Sequence, residues 1–171
     1  FEERSFFSQA VEAIQDGDLD KVRRLLARRT RSVWVGRGEN QARWFLLDAA
    51  LSLIQACADA ERQLPDQARS QETLIDFYVS SLREVDRLQR EFEQNASDAL
   101  DTTGGLDKVM AQARGAYRGL AAKLQDLFIK HLEQSGWPPA GRLSTADVFD
   151  RWVAPRLQES GRRVAYLLID A

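Results

Sequence analysis

Apolar residues recur every three or four positions through most of the chain, the spacing that lines them along one face of a helix. Phe6, Phe7, Ala10, Val11 and Ile14 form the first stripe, and Asp16-Gly17 closes it. Asp18 then stands where a helix N-cap is expected, ahead of Leu19, Val22, Leu25 and Leu26, so residues 6–30 predict a short helical hairpin. Val33, Trp34 and Val35 precede Gly36-Arg37-Gly38 and predict an anchored loop. From Trp44 to Ala58 the only charged residue is Asp48. A helix over residues 39–63 that is apolar almost all round belongs at the centre of a bundle, and Leu64-Pro65-Asp66 is expected to end it.

Two long amphipathic helices follow. Leu74, Phe77, Ser81, Leu82, Val85, Leu88 and Phe92 mark one over residues 70–98. Leu106, Val109, Ala113, Tyr117, Leu120, Leu124, Leu127 and Phe128 mark another over about residues 106–134. The Gly-rich connection between them, with Asp101-Thr102-Thr103-Gly104-Gly105, predicts an antiparallel pair. Gly136-Trp137-Pro138-Pro139-Ala140-Gly141 cannot continue a helix. Ser144 or Thr145 can cap one more, with Val148, Phe149, Trp152, Val153 and Leu157 as its apolar face, Pro155 as a kink and Gly161 as its stop.

The last ten residues break the helical pattern. Val164-Ala165-Tyr166-Leu167-Leu168-Ile169 is an unbroken apolar run after a glycine, too short for a usual helix and suited to a strand buried on both faces. No upstream segment predicts a partner strand. The expected organisation is therefore a helical scaffold at residues 1–135, a Trp/Pro/Gly linker at 136–143, and at 144–171 a lead-in helix with the first strand of an α/β domain that is otherwise absent. The fold class expected is mainly α: a helical bundle with a long antiparallel helix pair, ending in that strand.

Composition narrows the functional classes. Of the 171 residues 44% are hydrophobic and 29% charged, ordinary for a globular protein. A net charge of -2 speaks against a chain that coats nucleic acid or membrane surfaces generally. One cysteine, Cys57, allows no internal disulfide and favours a reducing, cytoplasmic setting. The first residues have neither the basic end nor the apolar run of a secretion signal, and no apolar run approaches the roughly 18 residues of a membrane span. No membrane partner is expected.

Asp170 follows the apolar run, and in open parallel sheets ligands gather beyond the carboxyl ends of the strands. A carboxylate there suits a metal, a phosphate-bound Mg²⁺ or a proton; it equally suits the start of a turn. Two stretches carry a resemblance at this point: Asp147-Val148-Phe149-Asp150-Arg151-Trp152-Val153-Ala154-Pro155, and Gly161-Arg162-Arg163-Val164-Ala165-Tyr166-Leu167-Leu168-Ile169-Asp170-Ala171. Together they resemble the entry to a PglZ domain. That family is assigned to the alkaline phosphatase superfamily and belongs to bacterial phage-exclusion (BREX) defence systems. The helical part, with Ser32-Val33-Trp34 and Glu39-Asn40-Gln41-Ala42-Arg43-Trp44, is similar to the region upstream of that domain. The resemblance implies that Asp170 is the first metal ligand of a metallohydrolase domain, that the parent protein uses a divalent metal (zinc), and that its partners are other phage-defence subunits. Of the family's Asp-Ala-Leu-Arg-type motif only Ile169-Asp170-Ala171 is present, and zinc takes about four ligands. This chain is expected to need no cofactor and to be catalytically silent.

Other candidates are simpler. Lys21, Arg23, Arg24, Arg28, Arg29 and Arg31 crowd one short helix and its exit, with Arg37 and Arg43 nearby. They could contact DNA phosphates, dock an acidic protein surface, or form a solvated face paired with the chain's own carboxylates. Trp137, in the Pro-rich connection, is a candidate partner contact or a pin for the linker. Trp44 and Trp152 are expected to anchor the core. His131 has no neighbouring histidine or cysteine with which to share a metal, and Cys57, between Ala56 and Ala58, is expected to be a small buried hydrophobe. Gly36-Arg37-Gly38 and Gly104-Gly105 lack the flanking strand that gives a glycine loop its phosphate-binding geometry. The function expected is a helical scaffold and interaction region of a PglZ-like defence protein. The alternatives are a stand-alone helical interaction module, and a nucleic-acid-contacting module using Arg23 to Arg31.

Overall fold

A computed structural model describes residues 2–29, 38–99, 105–159, 161, 163–165 and 167. The chain divides into two compact units, Phe1–Phe128 and Ile129–Ala171, with the division falling inside a long helix.

The first unit begins with the hairpin of α1 (Glu2–Gln15) and α2 (Leu19–Arg29). Its turn follows from two residues. Gly17 takes a φ of 77°, the left-handed region where a side chain is strained, and the Gly17 and Asp18 amides donate to the Ile14 and Ala13 carbonyls. Asp18 then accepts from the Lys21 amide at 3.0 Å and starts α2. Phe7, Ala10, Val11, Ala13 and Ile14 of α1 and Val22 and Leu25 of α2 are buried.

α3 (Gly38–Gln67) is the central helix, burying Trp44, Leu46, Leu47, Ala50, Leu51, Leu53, Ile54, Cys57, Ala60 and Leu64. It runs past the stop expected at Leu64-Pro65-Asp66, and Pro65 lies within its last turn. A proline there removes a single amide bond, while buried Leu64 holds the turn against the core and its carbonyl still accepts from the Ala68 amide at 2.9 Å.

The helix expected at 70–98 is present, but it is built in three parts: α4 (Gln71–Phe77), a π turn (Tyr78–Leu82) and α5 (Arg83–Asp98). Ser70 and Thr73 cap its start reciprocally, each side chain accepting from the other's amide, at 3.2 and 3.0 Å. The π turn has a packing cause. Leu74 and Phe77 are buried, and the next fully buried position is Leu82, five residues on instead of three or four. One wide turn absorbs the extra residue and returns Leu82, Val85 and Phe92 to the core.

α6 (Asp107–Ser135) buries Val109, Ala113 and Leu120. It runs antiparallel to α5, since Arg114 meets Glu93 and Tyr117 meets Asp86, the partner numbers falling as the α6 numbers rise. Lys123 pairs with Glu61 of α3 at 2.9 Å, and Gln112 donates to the Ile14 carbonyl at the end of α1 at 3.2 Å. Within this unit α3, the α4–α5 rod and the body of α6 form a three-helix bundle, and the α1–α2 hairpin packs on α3.

In the second unit α6 ends at Gly136, whose φ of 73° turns the chain after its amide has bonded to the Leu132 carbonyl. Trp137–Pro138 is a cis peptide. Ser144 caps α7 (Thr145–Val148), which passes through a π turn (Phe149–Val153) into α8 (Ala154–Leu157), with Pro155 in the first turn of α8. Arg163, Val164, Ala165 and Leu167 adopt no regular secondary structure, and among the described residues there is no strand. Tyr166 and residues 168–171 of the expected strand lie outside the described residues. The architecture observed is thus mainly helical.

Candidate interaction surfaces

The basic helix α2 separates its arginines by role. Val22 and Leu25 fix which side faces the core. Arg29, on that same side, lays its guanidinium 3.7 Å over the Phe6 ring of α1, and Arg23 pairs with Asp20 one turn back at 3.1 Å. These two are therefore spoken for within the hairpin. Lys21, Arg24 and Arg28 lie on the outward face at spacings of three and four, exposed and without an ion pair among the described residues. Arg31, Arg37 and the loop at Val33-Trp34-Val35 lie outside the described residues. Arg43 covers the Phe7 ring at 4.2 Å, and so stabilises the α1–α3 contact instead of extending the basic face. Cation–π pairs of this kind are worth about 0.5–2 kcal/mol.

The tryptophans divide between core and surface. Trp44 is 3% exposed and meets Phe7 edge-on, with ring centroids 5.2 Å apart, the core anchor expected of it. Trp152 is 56% exposed, which corrects the expectation of a core anchor. A regular helix would have placed Phe149, Trp152 and Val153 on one stripe. The π turn over Phe149–Val153 instead buries Val153 and leaves Phe149, Trp152 and Leu157 about half exposed. Trp137 is also half exposed, beside the cis proline. Leu167 is 81% exposed, where a strand covered on both faces would have buried it. Asp170 lies outside the described residues.

The titratable groups of the first unit show what its interior can do. Cys57 is buried and its thiol pushed up to about 11, by burial first and the Glu61 charge second, so it stays protonated as a small apolar filler. His131 is half-buried near the end of α6. A group that sequence reasoning missed is Asp86 on α5. Its carboxylate accepts from the Tyr78 hydroxyl at 2.6 Å and the Tyr117 hydroxyl at 2.9 Å, joining the π turn to α6. Burial, then the Asp86 hydrogen bond, pushes the Tyr117 phenol up to about 12, and Tyr78 is raised chiefly by its bond to Asp86. Nothing in the local sequence signals this cluster, because its members are 8 and 31 residues apart. Its cleft is about 30 Å³, so it is a structural clasp with no room for a substrate.

Among the described residues no three His, Cys, Asp or Glu side chains stand together as metal ligands. None of the described helices is long and apolar enough to cross a membrane. The fold and surfaces define a helical bundle protein with a basic outer face on one unit and uncovered aromatic side chains on the other. No family model, no curated protein and no solved structure matches the chain.

Proposed function

We propose that the chain is the helical scaffold and interaction region of a PglZ-like phage-defence protein, and that it positions an α/β domain resembling the metallohydrolases of the alkaline phosphatase superfamily. The observation that carries the reading is the apolar surface of the second unit. Phe149, Trp152, Leu157 and Leu167 are half to four-fifths exposed, and Phe149, Trp152 and Leu167 lie in the two stretches that resemble the entry to a PglZ domain. Apolar side chains of this size are worth about 1.5–3 kcal/mol each when buried, so a packed neighbour would gain by covering them. In this reading residues 164–169 form the first strand of that neighbour, Asp170 is a metal ligand completed by other residues, and Trp137 contacts a partner subunit of a cytoplasmic complex. The reading frame beyond codon 171 tests it: Leu-Arg followed by later clusters of His and Asp is expected, and a stop codon there overturns it.

A second reading has an observation of its own. Lys21, Arg24 and Arg28 present an exposed cationic stripe on α2, of the kind that meets a phosphate backbone. If it binds duplex DNA, affinity falls steeply as salt rises, and changing Lys21, Arg24 and Arg28 to Ala removes most of that dependence. Absence of binding near about 50 mM salt rejects it.

A further inference from the structure

α3 and α5 form two seams, and α6 occupies only one of them. On that side Leu53 of α3 and Gln89 and Glu93 of α5 face Arg114, Tyr117 and Arg118 of α6. On the other side Phe45, Asp48, Ala49 and Ser52 of α3 and Leu88, Glu91 and Asn95 of α5 line a groove of about 320 Å³, and no other described element contributes to its walls. The spacing is that of successive helical turns on both walls, 45, 48, 49, 52 and 88, 91, 95, so the groove follows the helices for about 11 Å. That is the template for one more helix laid along the pair, entering by anchors at i, i+3 or i+4, and i+7.

The chemistry of the walls selects the occupant. Phe45 is 52% exposed, and Ala49 and Leu88 are half-buried beside it, giving an apolar floor. Asp48 has no hydrogen bond or ion pair among the described residues, although it is the one charge in the apolar stretch of α3. Its carboxyl is raised by burial and by the Glu91 charge across the groove. Glu91 shares its cation: Arg87 bonds it at 2.8 Å and also bonds Glu84 at 2.7 and 2.9 Å. Asp48 and Glu91 are the two charged residues of the groove's lining, and the Arg87 guanidinium bonded to Glu91 is shared with Glu84, so the groove keeps an excess of negative charge. Asn95 spends an amide hydrogen on the Glu91 backbone carbonyl at 2.8 Å, so its side-chain carbonyl adds a further acceptor. An apolar floor with acceptors and excess negative charge at its centre is complementary to a cationic amphipathic helix.

We infer that the α3–α5 groove is a docking site for a helix of a partner protein, one that sets Lys or Arg against Asp48 and Glu91 and apolar side chains against Phe45 and Leu88. This surface belongs to the first unit and does not depend on the reading of the second as the neighbour of a metallohydrolase.

The probe is an 18-residue helix-forming Leu/Lys peptide, with a Leu/Glu peptide of the same pattern as control, titrated into the full chain and followed by backbone amide shifts. Saturable shifts centred on Phe45, Asp48, Leu88 and Glu91 are expected for the Lys peptide and absent for the control. Asp48→Lys with Glu91→Lys should weaken binding at least tenfold, and Ala49→Phe, which fills the floor without changing charge, should do the same. Circular dichroism checks that each variant keeps its helix content, and two independent variants guard against loss of one to misfolding. No saturable binding, shifts centred on Phe149 and Trp152 or on α2, or equal affinity in both variants would overturn the proposal. Concentration-dependent dimerisation of the chain alone, abolished by the Lys variants, would assign the groove to a second copy and overturn it too.

Discussion

Asp86 shows how much a single residue can carry when three segments meet at it. The carboxylate is the shared acceptor for Tyr78 on the π turn and Tyr117 on α6, and it stands half-buried, where a phenol that lost its proton would face the Asp86 charge at hydrogen-bond distance. Burial first, and then the Asp86 bond and charge, push the Tyr117 phenol up to about 12. A group with a raised folded-state pKa contributes stability that is complete below its unfolded pKa and lost as pH rises through the folded one. The Tyr117 contribution is thus intact below about pH 10 and lost towards pH 12. Tyr117→Phe should cost about 1 kcal/mol near neutral pH, the usual net worth of such a bond, and should flatten the loss of stability above pH 10. Urea unfolding of both proteins at pH 7 and across the alkaline range checks this; an unchanged alkaline slope would show that Tyr117 does not titrate with unfolding.

At the scale of the element, the α1–α2 turn was legible and the π turns were not. Asp16-Gly17-Asp18 carries its own instructions: a glycine for the positive φ, and an acid whose oxygen accepts from the Lys21 amide. Asp18→Ala should therefore destabilise the first unit by about 1 kcal/mol, seen as a lower urea midpoint with an unchanged slope, and Asp18→Asn should restore most of it. The apolar rhythm of residues 70–98 signalled a helix, but the widening at Tyr78–Leu82 answers a demand from outside that helix. Leu82 is 2% exposed and Ser81 half-buried, a choice made by the packed neighbours. The same applies to Phe149–Val153, where the π turn buries Val153 and turns Trp152 to solvent, against the expectation of a core tryptophan.

For the whole molecule, the division between Phe128 and Ile129 predicts that the bundle does not need the C-terminal segment. A chain ended after Ser135 should melt within about 3 °C of the full chain and stay in solution at higher concentration, because it no longer exposes Trp137, Phe149, Trp152 and Leu157. A drop of more than about 10 °C would show that residues 136–171 belong to the same cooperative unit. The full chain should also hydrolyse no generic phosphate ester with or without added Zn²⁺ or Mg²⁺, because the resemblance supplies a single ligand, Asp170, and zinc takes about four. Metal-dependent turnover abolished by Asp170→Ala would overturn the scaffold reading.

By itself the sequence determined the helical class, the hairpin at its start, the central place of the helix around Leu46 to Cys57 and the existence of two long helices after it. Those features rest on periodicity and on caps, which act within a few residues and can be read in order along the chain. Only the tertiary structure decided which arginines of α2 remain available, since Phe6 and Asp20 claim Arg29 and Arg23. It alone joined Asp86 to Tyr117, and it alone set α6 beside one side of the α3–α5 pair and left the seam at Asp48 and Glu91 without a third helix among the described residues. Asp48 did stand out as the lone charge of an apolar stretch. Its meaning depended on a neighbour 43 residues away, Glu91, and a pattern with a period of 3.6 residues carries no information over that distance.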